Sequence, residues 1–139
     1  MNEFLINSDG VLKTFMGEGG KVVIPYGVSV ISDGVFRDRR EITDVVFPKT
    51  LAVIGDDAFR GCTNLETITF YGGNVEIGER AFRNCPGLNT IFCFNDANYE
   101  YPVNFFNFRD TDDVAAFDVD LTYLTRIDIT FSKNRRDIF

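Results

Sequence analysis

Histidine is absent from this 139-residue chain, and that one absence removes a good deal of chemistry. Ser-His-Asp triads, histidine general bases, and the HExxH and Cys2His2 zinc sites all need the imidazole. Cysteine is scarce: three residues, an odd number, cannot build a two-bridge disulfide framework. Long apolar runs are missing as well. Stretches such as Val22-Val23-Ile24 are far too short to span a bilayer, so no membrane insertion is expected. No apolar core follows a basic N-terminus, so no secretory leader is expected at Met1. Positive charge is in deficit, with 14 Lys and Arg against 21 Asp and Glu and a net charge of −7. A phosphate-tracking surface needs a positive field, which argues against nucleic acid as a partner. What remains is ordinary: 45% apolar and 25% charged residues, in a length suited to one modest domain.

Against this plain composition stands a strong internal repeat. Val22-Val23-Ile24-Pro25 through Asp44 aligns without gaps on Val45-Val46-Phe47-Pro48 through Thr67, and that on Ile68-Thr69-Phe70-Tyr71 through Thr90. The columns are chemically uniform where packing requires it: Ile31, Ile54 and Ile77; Phe36, Phe59 and Phe82; Ile42, Leu65 and Leu88. Val22, Val45, Ile68 and Ile91 form a further column, followed two places on by Ile24, Phe47, Phe70 and Cys93. A unit this small cannot bury its own apolar face, so stacked coils at strand spacing are implied.

Within each unit, apolar residues at alternate positions, as in Ile68-Thr69-Phe70, predict a short strand with the outer pair inward and the middle residue outward. Pro25 and Pro48 end the strand because proline has no N–H to give to a ladder. The stretch Ile54 to Gly61 reads as one helical turn, with acids first and glycine last. Asp33 and Arg37, Asp56 and Arg60, and Glu79 and Arg83 stand in the acid-first i,i+4 order of a solvated helical face. Residues 3–15, with a turn around Ser8-Asp9-Gly10, read as a capping hairpin joined to the first coil by Gly17-Glu18-Gly19-Gly20.

The pattern Ile-Gly-x-x-Ala-Phe-x-x-Cys-x-x-Leu-x-x-Ile is carried by Ile54-Gly55, Ala58-Phe59, Cys62, Leu65 and Ile68, and again by Ile77-Gly78, Ala81-Phe82, Cys85, Leu88 and Ile91. It resembles the BspA-type leucine-rich repeats of bacteria. The first unit departs from it, with Ser32 for Gly, Val35 for Ala and Arg39 for Cys. The resemblance implies a leucine-rich-repeat solenoid with short parallel β-strands on a concave face and short helical or 3-10 turns opposite. It implies recognition of another protein or a host-surface ligand, an adhesin-like role in several members, and no catalytic residues. It also points to the cell surface, whereas the chain read from Met1 as a native start would stay in the cytoplasm.

The organisation expected is an N-terminal β-hairpin cap at 1–21, repeats at 22–94 (units 22–44, 45–67 and 68–90, and a partial 91–94), and a non-repeat α/β C-terminal cap or the start of a further domain at 95–139. In that last stretch Val114, Phe117, Leu121 and Leu124 have helical spacing, while Ile127-x-Ile129-x-Phe131 is better strand than helix. Such apolar content suits a cover for the open end of the last coil.

No residue set points to catalysis. Cys62 and Cys85 share an inward column and read as buried thiols, with a disulfide between neighbouring coils geometrically conceivable. Gly17-Glu18-Gly19-Gly20-Lys21 fails as a phosphate loop, since Phe15 replaces the first glycine and Val22 follows the lysine. Asp110, Asp112, Asp113, Asp118 and Asp120 fit no EF-hand loop. No enzyme activity, cofactor or metal is expected. The candidate binding surface is the strand face: Val23, Val46, Thr69 and Phe92 outward along its centre, with Asp44, Thr67 and Thr90 one step before the strand. Three other readings stand beside it: a strip covered by the tail and so part of the internal core, a structural stalk without a ligand, and a carbohydrate-binding surface on Tyr99, Tyr101, Phe105 and Phe106. A monomer or weak oligomer is expected.

Overall fold

A computed structural model describes residues 3–71, 75–88, 90–94, 106–108 and 128–132. The chain winds as a β-solenoid. Its opening hairpin pairs β1 (Phe4–Ile6) antiparallel with β2 (Val11–Phe15). The Asn7 side-chain oxygen accepts the N–H groups of Asp9 and Val11 and so shapes the turn the sequence predicted.

Each coil then gives one strand to each of two sheets. β3 (Gly20–Val23) and β4 (Val30–Ile31) belong to the first, β5 (Ile42–Val46) and β6 (Val53–Ile54) to the second, and β7 (Thr67–Phe70) and β8 (Val75–Ile77) to the third. β9 (Thr90–Phe94), β10 (Phe106–Phe108) and β11 (Asp128–Ser132) follow. The first sheet has the order β1-β2-β4-β6-β8-β10 and the second β11-β9-β7-β5-β3. All pairs but the hairpin are parallel. Equivalent residues lie side by side: Val22, Val45, Ile68 and Ile91 in the second sheet, Ile31, Ile54 and Ile77 in the first.

Between the sheets lies the core, built in columns. Phe36, Phe59 and Phe82 are buried and stacked, with centroids 4.7 and 5.2 Å apart. The hairpin extends this column: Phe15 sits 5.0 Å from Phe36, and Phe4 sits 5.2 Å from Phe15. Phe47 and Phe70 form a second stack at 4.7 Å, edge-on to Phe59 through Phe47 at 5.6 Å. Each aromatic contact adds about 0.5–1.5 kcal/mol beyond the area it buries, so the hairpin is held by the same force as the coils.

The third side of each coil corrects the sequence reading. No helix occurs among the described residues, and the segment expected to be a helical turn is a chain of tight turns. Gly34, Asp57 and Arg80, equivalent in the repeat, all have φ between 56 and 68°. Asp38, Gly61 and Asn84 do the same four places on, between 60 and 80°. A right-handed helix cannot pass through left-handed residues, which is why the acid-first spacing did not yield one. In exchange, alternate N–H groups turn sideways to the next coil. Those of Gly34, Phe36 and Asp38 donate to the carbonyls of Asp56, Ala58 and Arg60, and those of Asp57, Phe59 and Gly61 to Glu79, Ala81 and Arg83. The coil therefore stacks through backbone hydrogen bonds on this side too, satisfying groups a lone turn leaves open.

Acid side chains follow the same logic. Asp33 accepts the N–H of Asp56 at 2.7 Å, and Asp56 accepts that of Glu79 at 2.8 Å. Asp57 receives a two-pronged bond from Arg80 of the next coil, at 3.0 and 3.1 Å, and Arg60 of its own turn approaches at 3.4 Å. These carboxylates bind coil to coil, a use the i,i+4 reading did not contain.

The stretch read as lying beyond the period supplies strands to both sheets: β10 beside β8, with Phe108 opposite Ile77, and β11 beside β9, with Ile129 opposite Ile91. β11 covers most of Ile127-x-Ile129-x-Phe131, the segment expected to be a strand. The helical spacing at Val114, Phe117, Leu121 and Leu124 lies outside the described residues.

Candidate binding face on the second sheet

Strand alternation decides which side chains leave the solenoid. In β3 and its continuation, Val22 and Ile24 are buried and Val23 between them is 56% exposed. In β5, Val45 and Phe47 are buried while Val46 is half-buried. Parallel register then sets Val23, Val46, Thr69 and Phe92 side by side as one row, which Thr130 of β11 continues. Asp44, Thr67 and Thr90, all half-buried, form the neighbouring row two residues back along each strand. All seven residues singled out from the sequence thus share one sheet, in two adjacent rows.

The face is not uniform. Exposure falls from 56% at Val23 through a half-buried Val46 to 9% at Thr69. Thr69, expected at the open centre, is instead closed off, and among the described side chains of this row the accessible apolar part lies at the β3 end. Met16 and Tyr26, on the segments flanking β3, are exposed as well, Tyr26 at 81%. For Phe92 the register position is the relevant fact: its backbone lies beside Thr69.

Sequence reasoning passed over Lys21. It pairs with Asp44, so it begins the polar row, and Asp128 ends it at the far edge. The signal was available, since Lys21 precedes Val22 as Asp44 precedes Val45. Asp44 also accepts the hydroxyl of Thr43 at 2.8 Å. The surface therefore offers an ammonium, a carboxylate and threonine hydroxyls alongside β-branched apolar groups. Among the described residues no group of three or more Cys, Asp or Glu is arranged to hold a metal ion.

The cysteines play an internal part. Cys62 and Cys85 are free thiols, and the expected alternative of a bridge between them is not formed. Each Sγ donates to a main-chain carbonyl of the preceding coil, Cys62 to Phe36 and Cys85 to Phe59, both at 3.1 Å. Burial pushes the Cys62 thiol up to about 12, so it holds its proton and is no nucleophile. The first coil has Arg39 at this position. Its guanidinium donates to the carbonyls of Phe15 and Gly17, lies 4.9 Å over the Phe15 ring, and bonds Glu41 at 3.3 Å. Arg39 thereby fastens the hairpin to the coils. Glu41 is held below the usual carboxylate range by a hydrogen bond from its own backbone and, to a smaller extent, by Arg39.

Comparison with known proteins agrees with this geometry. The model of the BspA type leucine rich repeat region matches residues 20–131 in six copies. A leucine rich cell surface protein from Faecalibacterium prausnitzii A2-165 is similar in structure, with a TM-score of 0.54, 27% identity, and coverage of 67% of this chain and 31% of that one. A leucine-rich repeat protein from Bacteroides ovatus ATCC 8483 gives 0.53, 25%, 78% and 33%. This chain thus spans about a third of the length of each. No curated protein matches it. With the repeat columns stacked in register and the family model covering most of its length, the chain belongs to the BspA-type leucine-rich repeat family.

Proposed function

We propose that this chain is a non-enzymatic protein-recognition module that binds a partner protein through the outer face of its second sheet. The observation that carries the reading is the in-register pair of rows, one apolar and one polar, on a single parallel sheet. An exposed apolar strip bordered by polar groups is the usual composition of a protein contact. Exposed Val23 and Lys21, with half-buried Val46 and Asp44 beside them, support a centre toward the β3 end of this face, and Thr69 is the next residue in the row.

A role at the cell surface goes with this reading and is supported by the neighbour titled a cell surface protein. The stalk reading is favoured by one observation, that the chain spans only about a third of each structural neighbour. The carbohydrate reading rested on Tyr99, Tyr101, Phe105 and Phe106, whose side chains lie outside the described residues.

The test is a double substitution, Val23→Asp with Val46→Asp, checked for an unchanged circular dichroism spectrum and melting temperature. Cross-linking mass spectrometry in the native host should show partners captured by the parent and lost by the variant. An identical set of partners for both proteins would discard this face, and no specific partner for either would leave the stalk as the better account.

A further inference from the structure

The second sheet ends at β3, and β3 has a strand on one side only among the described residues. Its bonding to β5 shows which groups are already used: Gly20 N–H reaches the Glu41 carbonyl at 2.8 Å, and Ile24 N–H the Val46 carbonyl at 2.9 Å. Main-chain groups of a strand alternate in direction, so those of Lys21 and Val23 point to the open side. Both residues are exposed. The first sheet does not stop at this level. β2 and then β1 continue it past β4, the partner of β3 in the first coil. The hairpin thus stands two strand spacings, roughly 10 Å, beyond the edge of β3. The result is a step: an open strand edge at its floor and the hairpin as its wall.

We propose that this edge takes up an extended segment of a partner protein as an added parallel strand. The chemistry of the occupant follows from what β3 already accepts on its other side. There β5 places Asp44 beside Lys21, Val45 beside Val22 and Val46 beside Val23. A segment of the form acid, apolar, apolar repeats those pairings on the free side: a carboxylate for the Lys21 ammonium, a β-branched residue against Val23, and main-chain bonds to the Lys21 and Val23 groups. The shortness of β3, the left-handed Gly20 at its start (φ 67°) and Pro25 just beyond confine the docked segment to one register and discourage unselective pairing. The edge shares Lys21 and Val23 with the face proposed above, but its readout is protection of main-chain amides, which contact through the face alone does not give.

The probe is a synthetic peptide with the sequence of residues 41–49 (Glu-Ile-Thr-Asp-Val-Val-Phe-Pro-Lys), titrated into the full chain. Binding is followed by calorimetry, and amide hydrogen exchange by NMR. The account expects the Lys21 and Val23 amides to exchange freely in the protein alone and to become protected with peptide. Val23→Pro removes one outward N–H while leaving the β5 side intact, and should weaken binding about tenfold or more. Lys21→Glu should weaken it about fivefold. A peptide with lysine at the Asp44 position should restore binding to that variant, a readout that holds even if Val23→Pro does not fold. The proposal is overturned by any of four results: no binding at millimolar peptide, protection of the Lys21 and Val23 amides already in the free protein, binding by both variants unchanged from the parent, or dimers of the chain that the peptide does not disperse.

Discussion

The first coil and the two that follow meet the same structural demand with different residues. At one position of the repeat, Cys62 and Cys85 each donate a thiol hydrogen to a carbonyl of the coil below. At the equivalent place Arg39 reaches two carbonyls of the hairpin and lies over Phe15. Below Cys62 is another coil of the same shape, close enough for a short side chain. Below Arg39 is the hairpin, which follows a different path, and a long side chain is needed to span the gap. The glycine column shows the same contrast. The backbone bond is kept, from the N–H groups of Ser32, Gly55 and Gly78 to the carbonyls of Leu12, Ile31 and Ile54, but a Cβ at Gly55 would meet Asp33 of the coil below, while over the hairpin the first coil carries serine. Departures from a repeat consensus near an end are therefore fittings to what the end packs against, and not decay of the pattern.

Exchanging residues between coils breaks this comparison most severely at the cysteine position. Cys62→Arg buries a guanidinium in a column with no open side, and we expect a loss of about 4–5 kcal/mol or failure to fold, read by urea denaturation. Next comes Gly55→Ser, the residue of the first coil moved into the second. A Cβ there meets Asp33 Oδ1 at 2.5 Å and the Ile31 carbonyl at 2.7 Å, so about 2–3 kcal/mol should be lost. The reverse exchange, Arg39→Cys, gives up the bonds to Phe15 and Gly17 and should cost about 1–3 kcal/mol. Its signature is local: faster hydrogen exchange in β1 and β2 with the later coils unchanged.

The smallest effect is electrostatic. The Arg80 guanidinium, hydrogen-bonded to Asp57, holds that carboxyl below its ordinary value, with Arg60 contributing less. A depressed folded-state value stabilises above the unfolded pKa near 4 and is lost as pH falls through the folded one. Asp57→Asn should therefore cost about 0.5–1 kcal/mol at pH 7. The gap between variant and parent should close as pH drops below about 4, measured as melting temperature against pH.

How far these features were legible depends on how each signal is written. Inward columns repeat chemically, and Phe36, Phe59 and Phe82 announced themselves by spacing alone. Phe15 belongs to the same column, but the hairpin is not a repeat unit, so no alignment finds it. The left-handed turns were hidden because Gly34, Asp57 and Arg80 share a conformation and no side-chain property. Only Gly34 and Gly61 carried the hint, and acids four places before arginines suggested a helix more loudly. β10 and β11 pair beside the last repeats across intervals longer than the period, and sequence periodicity is blind to such joins. In the candidate face, alternation located the outward residues, but exposure along the row is a tertiary property. Nothing in Val23, Val46 and Thr69 as letters says that the first is open and the last closed.

The account rests on coils stacked one above another with equivalent side chains in contact, and ring-to-ring NMR cross-relaxation tests that directly. With selectively labelled phenylalanine, cross-peaks should join Phe36 to Phe59 and Phe59 to Phe82, whose centroids are 4.7 and 5.2 Å apart, with no direct peak between Phe36 and Phe82. Rings of Phe36, Phe59 and Phe82 that show no mutual cross-peaks would contradict the stack, and with it the binding face and the strand edge built upon it.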